Sequence, residues 1–516
     1  MKKILSLVMA LAMLLTCTSA LADVAYPLDG SNEPLTLLMI AETNAPNVGY
    51  EGWGDTAFVK EWQKQTGINL EIKEAADDAA LILNLSSGTY PDIVMMYESA
   101  YNGGNTAIIE DELAINLMDY AEYMPDYLNL VNGVDDYRRY VTNADGGIYF
   151  FANFFATDNG AVHWRGMVAR QDMLDKLNMA APQTNEEFYN YLVACRDQLG
   201  VDLPLAGNWW QNVLFDDGFA STEYGLVNAV GHQKDGKYHY GSYEPEYREY
   251  LRFVKKLYDE GLFDPNFQTT DEATSQASLL NGETAMHPTS CARINTISAR
   301  ATDEAFKLVA VSSLDGSDGT KAYFSQTDSL TPSRINAYIT ADCKQPELAV
   351  QLFNWLYTEY GTIVADFGPE GKCWNYDENG VPTFTEYMTK NEAGLSLDQM
   401  LYVESMMNRP KVSTLAASEQ RFPMDEQRAA LSIWHETDSF SYMLPSYSIA
   451  DADLSTEATN LWSDISTYIK ECRVKFITGE MNLEDDFDNY LEQLKSMGMD
   501  RYIEIQQGAL DAYYAK

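Results

Sequence analysis

Apolar positions between residues 35 and 96 alternate between the spacing of a strand and the spacing of a helix. Strand side chains repeat every two residues and helix side chains about every 3.6, so the two patterns are distinct. They predict strands over residues 35–40, 68–72 and 93–96, a helix capped by Asp55 or Thr56 and ended by Gly67, and a helix from Asp77 to Gly88. This order is typical of a parallel sheet covered by helices.

A similar pattern returns later in the chain. Thr184 and Glu187 form a capping box that predicts the start of a helix. Further helices are predicted over residues 247–258, with Gly261 as the stop, over residues 273–280, from Pro346 onward, and through most of the chain after Ser455. A strand is predicted over residues 284–286. The recurring α/β units favour two similar lobes over a barrel, which requires eight regular units.

Composition and charge narrow the possible functions. The 516 residues exceed what one hydrophobic core supports, and 46% of them are hydrophobic, as in globular proteins. The formal net charge is −42, and without residues 1–22, which carry Lys2 and Lys3 and no acid, it is −42 − 2 = −44. A surface of this charge repels nucleic-acid phosphates and anionic headgroups, so we expect no nucleic-acid partner.

The first residues have the pattern of a secretory signal peptide. Lys2 and Lys3 precede an apolar run over residues 4–15, and Ala20 and Ala22 are the small residues that a signal peptidase requires. The run is too short for a comfortable membrane span. Cys17 offers a second possibility, lipidation, although Thr16 departs from the usual residue before such a cysteine. We expect residues 1–22 to be a signal peptide and the chain to be extracellular or attached to the outer face of the cytoplasmic membrane.

The cysteines do not suggest a metal or redox site. Without Cys17 five remain, an odd number that cannot all pair within the chain, and none lies in a C-x-x-C arrangement. We expect small buried thiols rather than a disulfide framework, although the sequence leaves their pairing open. The five are Cys195, Cys291, Cys343, Cys373 and Cys472.

Four short segments occur in an order that runs over nearly the whole chain. They are S-G-T-Y-P-D-I-V from Ser87, L-N-G-E-T-A-M from Leu280, Tyr360-Gly361 followed by Gly368-Pro369-Glu370-Gly371, and F-I-T-G-E from Phe476 with M-G-M-D-R-Y from Met497. Each segment alone is weak, but their order and spacing are fairly specific. In them the chain resembles the extracellular solute-binding proteins of ABC transporters, especially the large lipoprotein-type, maltose-binding-like members of Gram-positive bacteria.

The resemblance implies a two-lobed, periplasmic-binding-protein-like α/β fold of type II with a ligand cleft between the lobes. Lobe 1 would comprise residues 23–155 and 320–368, and lobe 2 residues 156–319 and 369–516, including the C-terminal helices. Crossings between lobes would lie near residues 153–157, 316–323 and 367–371. The resemblance further implies a monomer without a cofactor that delivers a small ligand to an ABC transporter permease by closure of the cleft.

An oligosaccharide is the expected ligand, and a peptide or another small solute is the alternative. Sugar sites combine flat aromatic faces with planar polar groups. Candidates follow predicted strands or crossings, where open α/β sheets place ligands. Packing explains each of these residues about as well as ligand binding does. An acidic ligand stays a possibility, because the Arg165 guanidinium could bind a carboxylate. The predicted ligand-binding residues are Trp53, Tyr97, Glu98, Tyr101, Trp164, Trp209, Trp210, Trp374 and Asn375.

Catalysis finds little support in the sequence. The chain has neither a G-x-S-x-G nucleophile motif nor an H-E-x-x-H zinc motif. Asp377 begins a calcium-like turn, but Met388 stands where an EF-hand requires glutamate. A secreted carbohydrate-active enzyme stays a remote alternative, because paired carboxylates are common in so acidic a chain. The histidines lack the spacing of a metal site; they are His163, His232, His239, His287 and His435.

Overall fold

A computed structural model describes residues 24–516 except 87, 89, 158–162, 208–212, 326–330, 333, 423 and 448. The strands are β1 (Leu35–Ile40), β2 (Leu70–Ala75), β3 (Ile93–Tyr97), β4 (Asn153–Phe155), β5 (Arg165–Arg170), β6 (Gly231–Lys234), β7 (Lys237–Tyr240), β8 (Met286–Ser290), β9 (Leu308–Val311), β10 (Ile335–Ile339), β11 (Trp374–Tyr376), β12 (Pro382–Phe384) and β13 (Lys411–Ser413).

The helices are α1 (Ala57–Thr66), α2 (Asp78–Leu85), α3 (Gly104–Glu110), α4 (Pro125–Gly133), α5 (Asp135–Val141), α6 (Gln171–Leu177), α7 (Asn185–Leu199), α8 (Tyr247–Asp259), α9 (Glu272–Asn281), α10 (Cys291–Ser298), α11 (Pro346–Asn354), α12 (Glu359–Phe367), α13 (Glu386–Thr389), α14 (Leu397–Glu404), α15 (Leu415–Gln420), α16 (Asp425–Trp434), α17 (Ser439–Tyr442), α18 (Ala452–Thr478), α19 (Phe487–Ser496) and α20 (Met499–Tyr514). Within the described ranges, no helix combines the length and apolarity needed to cross a lipid bilayer.

The first lobe is built on a four-stranded sheet in the order β2-β1-β3-β10. Its three N-terminal strands are parallel, as the alternating pattern predicts, and β10 is antiparallel at the edge. Local chemistry fixes the helices between them: the Thr56 hydroxyl accepts from the Val59 amide to cap α1, and Gly67 ends α1 at φ 71°. The buried face of this sheet and its helices form one continuous core.

The second lobe is built on a sheet in the order β8-β5-β9, in which β5 is antiparallel to both neighbours. Its core also takes apolar side chains from α18, α19 and α20, so the predicted C-terminal helices pack against the body of this lobe. The strand predicted over residues 284–286 begins only at Met286 and runs to Ser290. Thr184 caps α7, while the Glu187 carboxylate accepts from the Gln183 amide one residue before the cap.

Residues between β11 and α15 pack with the first lobe, although the sequence-based division assigns residues 369–516 to lobe 2. Phe367, Cys373 and Trp374 share a core with apolar residues of α14 and with Ile363 of α12. The buried Glu404 Oε1 accepts from Tyr50 Oη at 2.6 Å and from Lys372 Nζ at 2.8 Å, and this joins the segment to the loop after β1.

The next helix, α16, packs instead on β5 and β9. We therefore propose that the chain changes lobes between α15 and α16 rather than near residues 367–371. The physical reason is the direction of the apolar faces: those of α12 and α14 meet each other, whereas that of α16 meets the second sheet.

A strand pair and a helix lie at the boundary between the lobes. Strands β4 and β13 form a short parallel ladder within the first lobe, beside the first predicted crossing, and pair Asn153 with Lys411. The last helix, α20, packs on β7 and also reaches α5, where Tyr513 Oη lies 3.4 Å from the Asp136 carboxylate.

The cysteines fit the prediction of unpaired thiols. The five in the described part of the chain are free, and those other than Cys343 are buried.

Candidate functional site

A cavity of about 330 Å³ lies where the two lobes meet. One wall comes from β4, the end of α12, α14, β13 and α15, and the facing wall comes from Trp164 and from the junction of β8 with α10. Its lining residues are Asn153, Phe155, Trp164, Ser290, Cys291, Ala292, Arg334, Asp366, Asp398, Leu401, Tyr402, Met407, Asn408, Lys411, Ser413, Ala417, Ser418, Arg421 and Phe422. The volume lies at the lower end of the range for small-molecule sites.

Aromatic side chains from several elements reach this cavity. Phe155 lies at the end of β4, Tyr402 on α14, Trp164 just before β5, and Phe422 just after α15. Burial and, next, the neighbouring Tyr97 raise the pKa of Tyr402, so its hydroxyl stays protonated and able to donate. The cavity therefore offers flat apolar faces with polar edges.

A buried ion pair forms part of the wall. Lys411 on β13 donates to Asp366 at the end of α12, and both side chains are almost wholly inaccessible to solvent. Asp366 also accepts from the Thr414 amide and hydroxyl, each at 2.7 Å. Burial lowers the pKa of Lys411 although Asp366 acts in the opposite direction. The pair fixes the strand that carries the wall to the helix behind it.

A second ion pair is bidentate and more accessible. Arg421 Nε and Nη2 lie 2.8 and 3.1 Å from the two Asp398 oxygens, which is the parallel geometry that guanidinium and carboxylate groups favour. Burial opposes the charge of Arg421, but Asp398 outweighs it and the pKa is raised. With Arg334, the lining holds three cationic and two anionic side chains in a strongly acidic chain. It can therefore bind hydroxyl groups or a carboxylate.

A second depression, of about 640 Å³, has its walls on the second lobe, because Tyr323 and Lys321 beside it bind Thr222 and Asp315 of that lobe. Its lining residues are Thr320, Lys321, Tyr323, His435, Glu436, Thr437, Asp438 and Tyr442. Because a two-lobed binding protein must bring both lobes against its ligand, the cavity at the lobe junction is the better candidate.

Two buried histidines lie near the cavity wall and predict a pH dependence of stability. Burial, with neighbouring His435, lowers the pKa of His163 to about 3, and burial lowers the pKa of His287 to about 4. An unfolded histidine titrates at about 6.5, so below that pH the unfolded chain binds protons that the folded chain excludes. The free energy of unfolding should fall as the pH falls from about 7 to about 5, by up to about 2 kcal/mol for each histidine.

Urea unfolding measured across this pH range checks the expectation. His287→Gln removes one of these buried groups, so its unfolding free energy should change less steeply with pH than that of the unaltered chain. An unchanged slope in this variant would mean that His287 is not held neutral by the fold.

Comparison with known proteins agrees with this architecture. Residues 57–363, more than half of the chain, match a family described as bacterial extracellular solute-binding protein. The chain belongs to this solute-binding protein family.

Two curated relatives are named as binding proteins. The chain is 21% identical over 473 residues to the polygalacturonan/rhamnogalacturonan-binding protein YtcQ of Bacillus subtilis, covering 87% of each chain. It is 21% identical over 554 residues to the fructooligosaccharide ABC transporter substrate-binding protein FusA of Streptococcus pneumoniae, covering 100% of this chain and 98% of the relative.

A solved structure confirms the predicted fold class. An extracellular solute-binding protein from Bifidobacterium longum subsp. infantis superposes with a TM-score of 0.72 at 17% identity, covering 93% of this chain and 99% of that one. At this identity the likeness concerns the fold. The chain with the present sequence accordingly has the two-lobed, periplasmic-binding-protein-like α/β fold that its resemblance in four sequence segments implies.

Of the predicted binding residues in the described part of this solute-binding protein, Trp164 is the one that lines the cavity. It is half-buried, and its main-chain carbonyl accepts from the Cys291 amide at 2.8 Å, which holds the start of β5 against α10. The Arg165 guanidinium lies 5.3 Å from the Trp164 ring but is paired with Asp217, with Arg165 Nη2 2.8 Å from Asp217 Oδ1. Arg165 therefore does not offer a free clamp for a carboxylate.

Trp53 and Trp374 are both fully buried. The Trp53 ring packs against Phe58 with centroids 5.7 Å apart, and the Arg409 guanidinium lies 4.5 Å from it. The Trp374 indole donates to the Gly368 carbonyl at 2.7 Å. Both rings thus occupy cores of the first lobe, although the sequence made them candidates for ligand contact. Asn375, next to Trp374, is exposed on the β11–β12 hairpin.

Tyr97 at the end of β3, and Glu98 and Tyr101 just after it, do not line the cavity. Glu98 accepts from the Asn105 amide, and burial raises the pKa of Glu98. Tyr101 Oη donates to Asp111 at 2.8 Å. Trp209 and Trp210 lie outside the described residues, so their contact with a ligand stays a prediction.

Sequence reasoning missed most of the polar wall. Asp366, Asp398, Lys411 and Arg421 are isolated charges in a chain with 112 charged residues, 35 basic and 77 acidic. They become a site only through pairings between different elements. The three residues of β13, which carries Lys411, are too few to give a strand pattern in the sequence.

Proposed function

We propose that this solute-binding protein captures an oligosaccharide in the cavity between its lobes and delivers it to an ABC importer. The observation that carries the proposal is a cavity in which aromatic rings from both lobes lie beside the planar Arg421–Asp398 ion pair of the first lobe. Stacking on a sugar ring and paired hydrogen bonds to its hydroxyls require this combination. Two relatives are named for binding polygalacturonan/rhamnogalacturonan and for transporting fructooligosaccharide. These names support the same class of ligand.

Cleft closure follows from the position of the cavity. A ligand that touches both walls stabilises the arrangement in which the walls approach, so it shifts the population toward the closed form. The permease would then distinguish loaded from empty protein by shape. We propose no catalytic role, and the protein would act as a monomer.

The test is a binding screen on the purified mature chain, residues 23–516, against neutral oligosaccharides, acidic oligosaccharides, peptides and amino acids. We expect saturable binding of an oligosaccharide by calorimetry and an increase in unfolding free energy of about 2.7 kcal/mol at a hundred times the dissociation constant. Binding of peptides with no response to any oligosaccharide would overturn the ligand class. Release of new reducing ends from a glycan would favour the enzyme alternative instead.

We also propose that the protein is exported through its first 22 residues. Cleavage after Ala22 would release it, whereas lipidation at Cys17 would attach it to the outer face of the membrane. The mass of the mature N-terminal peptide distinguishes these two outcomes.

A further inference from the structure

The β6–β7 hairpin brings together two histidines that the sequence gives no reason to associate. His232 and His239 are directly opposite in the ladder, because Asp235 and Gly236 form a two-residue turn with positive φ at both positions. Opposed residues of an antiparallel pair point to the same face. The two imidazole rings are nearly parallel, with centroids 5.4 Å apart.

A carboxylate completes the group. Glu244 follows the short helical turn Gly241–Tyr243, and its Oε1 lies 2.9 Å from His239 Nδ1 and 4.0 Å from His232 Nε2. The three ligand atoms all lie within 4.8 Å of one another. In a tetrahedral zinc site with bonds of about 2.0–2.1 Å, ligand atoms are about 3.3 Å apart, so small side-chain rotations suffice.

The surroundings of His232 orient one ligand in advance. Its side chain is 1% exposed, and its Nδ1 lies 3.2 Å from the Val230 carbonyl. A carbonyl can only accept, so Nδ1 carries the proton and Nε2 presents its lone pair toward Glu244. This outer hydrogen bond is the one that metal-binding histidines in proteins usually make.

The other two ligands give access from solvent. The side chains of His239 and Glu244 are 34% and 24% exposed, so an ion and a water molecule can enter from that side. Glu246 and Lys234, of opposite charge, both lie close enough to Glu244 to act on its carboxylate. None of the three ligands lines the cavity between the lobes, so the group is independent of the proposed sugar site.

We propose that His232, His239 and Glu244 bind a single Zn²⁺ ion or a comparable divalent transition-metal ion, with water in the remaining position. Two imidazoles and one carboxylate suit such ions and not Ca²⁺ or Mg²⁺, which favour oxygen ligands. The ion would fix the hairpin to the chain that follows it. The hairpin in turn supports α20, whose Gln507 accepts from the Tyr238 amide at 2.6 Å and donates to the Gly236 carbonyl at 3.0 Å.

The test uses the mature chain without an affinity tag, stripped with a chelator and titrated calorimetrically with ZnCl₂ alone. We expect one saturable site per chain, an increase in melting temperature with zinc, and no such response to MgCl₂. Co²⁺ should give the intense visible absorption of low-coordinate cobalt. His239→Gln and Glu244→Gln, both at partly exposed positions, should each weaken zinc binding by about a hundredfold.

Glu246→Gln is the matched control, since it removes a neighbouring carboxylate that is not a ligand. It should change the affinity by less than about threefold, the scale of one screened surface charge. Circular dichroism verifies that each variant is folded. Absence of saturable zinc binding would show that the three residues form only a hydrogen-bonded group. Equal affinity in the His239→Gln, Glu244→Gln and unaltered chains would place the ion elsewhere, and either outcome would overturn the proposal.

Discussion

An oligosaccharide should bind the Trp164→Ala variant ten- to a hundredfold more weakly than the unaltered chain, a loss of about 1.4 to 2.8 kcal/mol. Trp164 lies on the second-lobe side of the cavity, across from Phe155 and Tyr402 of the first lobe. In the variant, a sugar ring bound between these walls would lose its stacking surface on the second-lobe side. Because this surface belongs to the lobe that must close, the variant should also shift less toward the closed form.

Calorimetric titration with the oligosaccharide found in the screen measures the effect. Trp164→Phe keeps a flat ring and should lose less affinity than Trp164→Ala. Trp462→Ala is the matched control, because Trp462 on α18 stacks on Tyr502 at 4.9 Å within the second lobe and does not line the cavity. Unchanged affinity in Trp164→Ala would move the ligand away from this cavity and leave Trp209 and Trp210 as the aromatic candidates.

Lys411→Met should lower the free energy of unfolding by about 3–5 kcal/mol, the usual cost of leaving a buried charge without its partner. Lys411 and Asp366 are 3% and 5% exposed, so water cannot replace the missing ammonium group. Methionine preserves most of the lysine stem, and the loss is therefore electrostatic rather than steric. Urea unfolding, followed by tryptophan fluorescence, provides the measurement.

Two further variants test this explanation. Lys411→Met combined with Asp366→Asn removes both charges and keeps an acceptor for Thr414, so it should recover at least half of the loss. Lys390→Met breaks an ion pair of the same type, in which Lys390 lies 2.9 Å from Glu386. Because these two side chains are 73% and 83% exposed, the variant should leave the free energy of unfolding unchanged. If Lys411→Met unfolds at the same urea concentration as Lys390→Met, the buried pair contributes nothing specific.

The spacing of the hairpin histidines in the sequence does not reveal that their side chains are neighbours. His232 and His239 are seven residues apart, which is not the spacing of a helical metal motif. The Asp235-Gly236 turn makes them neighbours, since both residues adopt positive φ and reverse the chain within two positions. The turn is readable from the sequence, but the approach of Glu244 depends on how the chain folds back after β7.

Local structure was largely determined by the sequence itself. Thr56, Gly67 and Pro346 set helix ends through hydrogen bonds and backbone angles that act within a few residues, and the helices are found there. The order of the N-terminal elements was predictable for the same reason. The four sequence segments also predicted the family, which the comparison confirms.

The tertiary structure decided which aromatic residues are available to a ligand. Trp53, Trp164 and Trp374 share the same local signal, a tryptophan in a loop or at a strand end, yet Trp53 and Trp374 are buried in cores and Trp164 lines the cavity. The ionic wall depends on longer distances still, since Lys411 and Asp366 are 45 positions apart. Whether a ring or a charge faces solvent, core or cleft depends on which distant faces pack together. The packing energy that decides this arises between segments far apart in the chain, so no local stretch of sequence contains it.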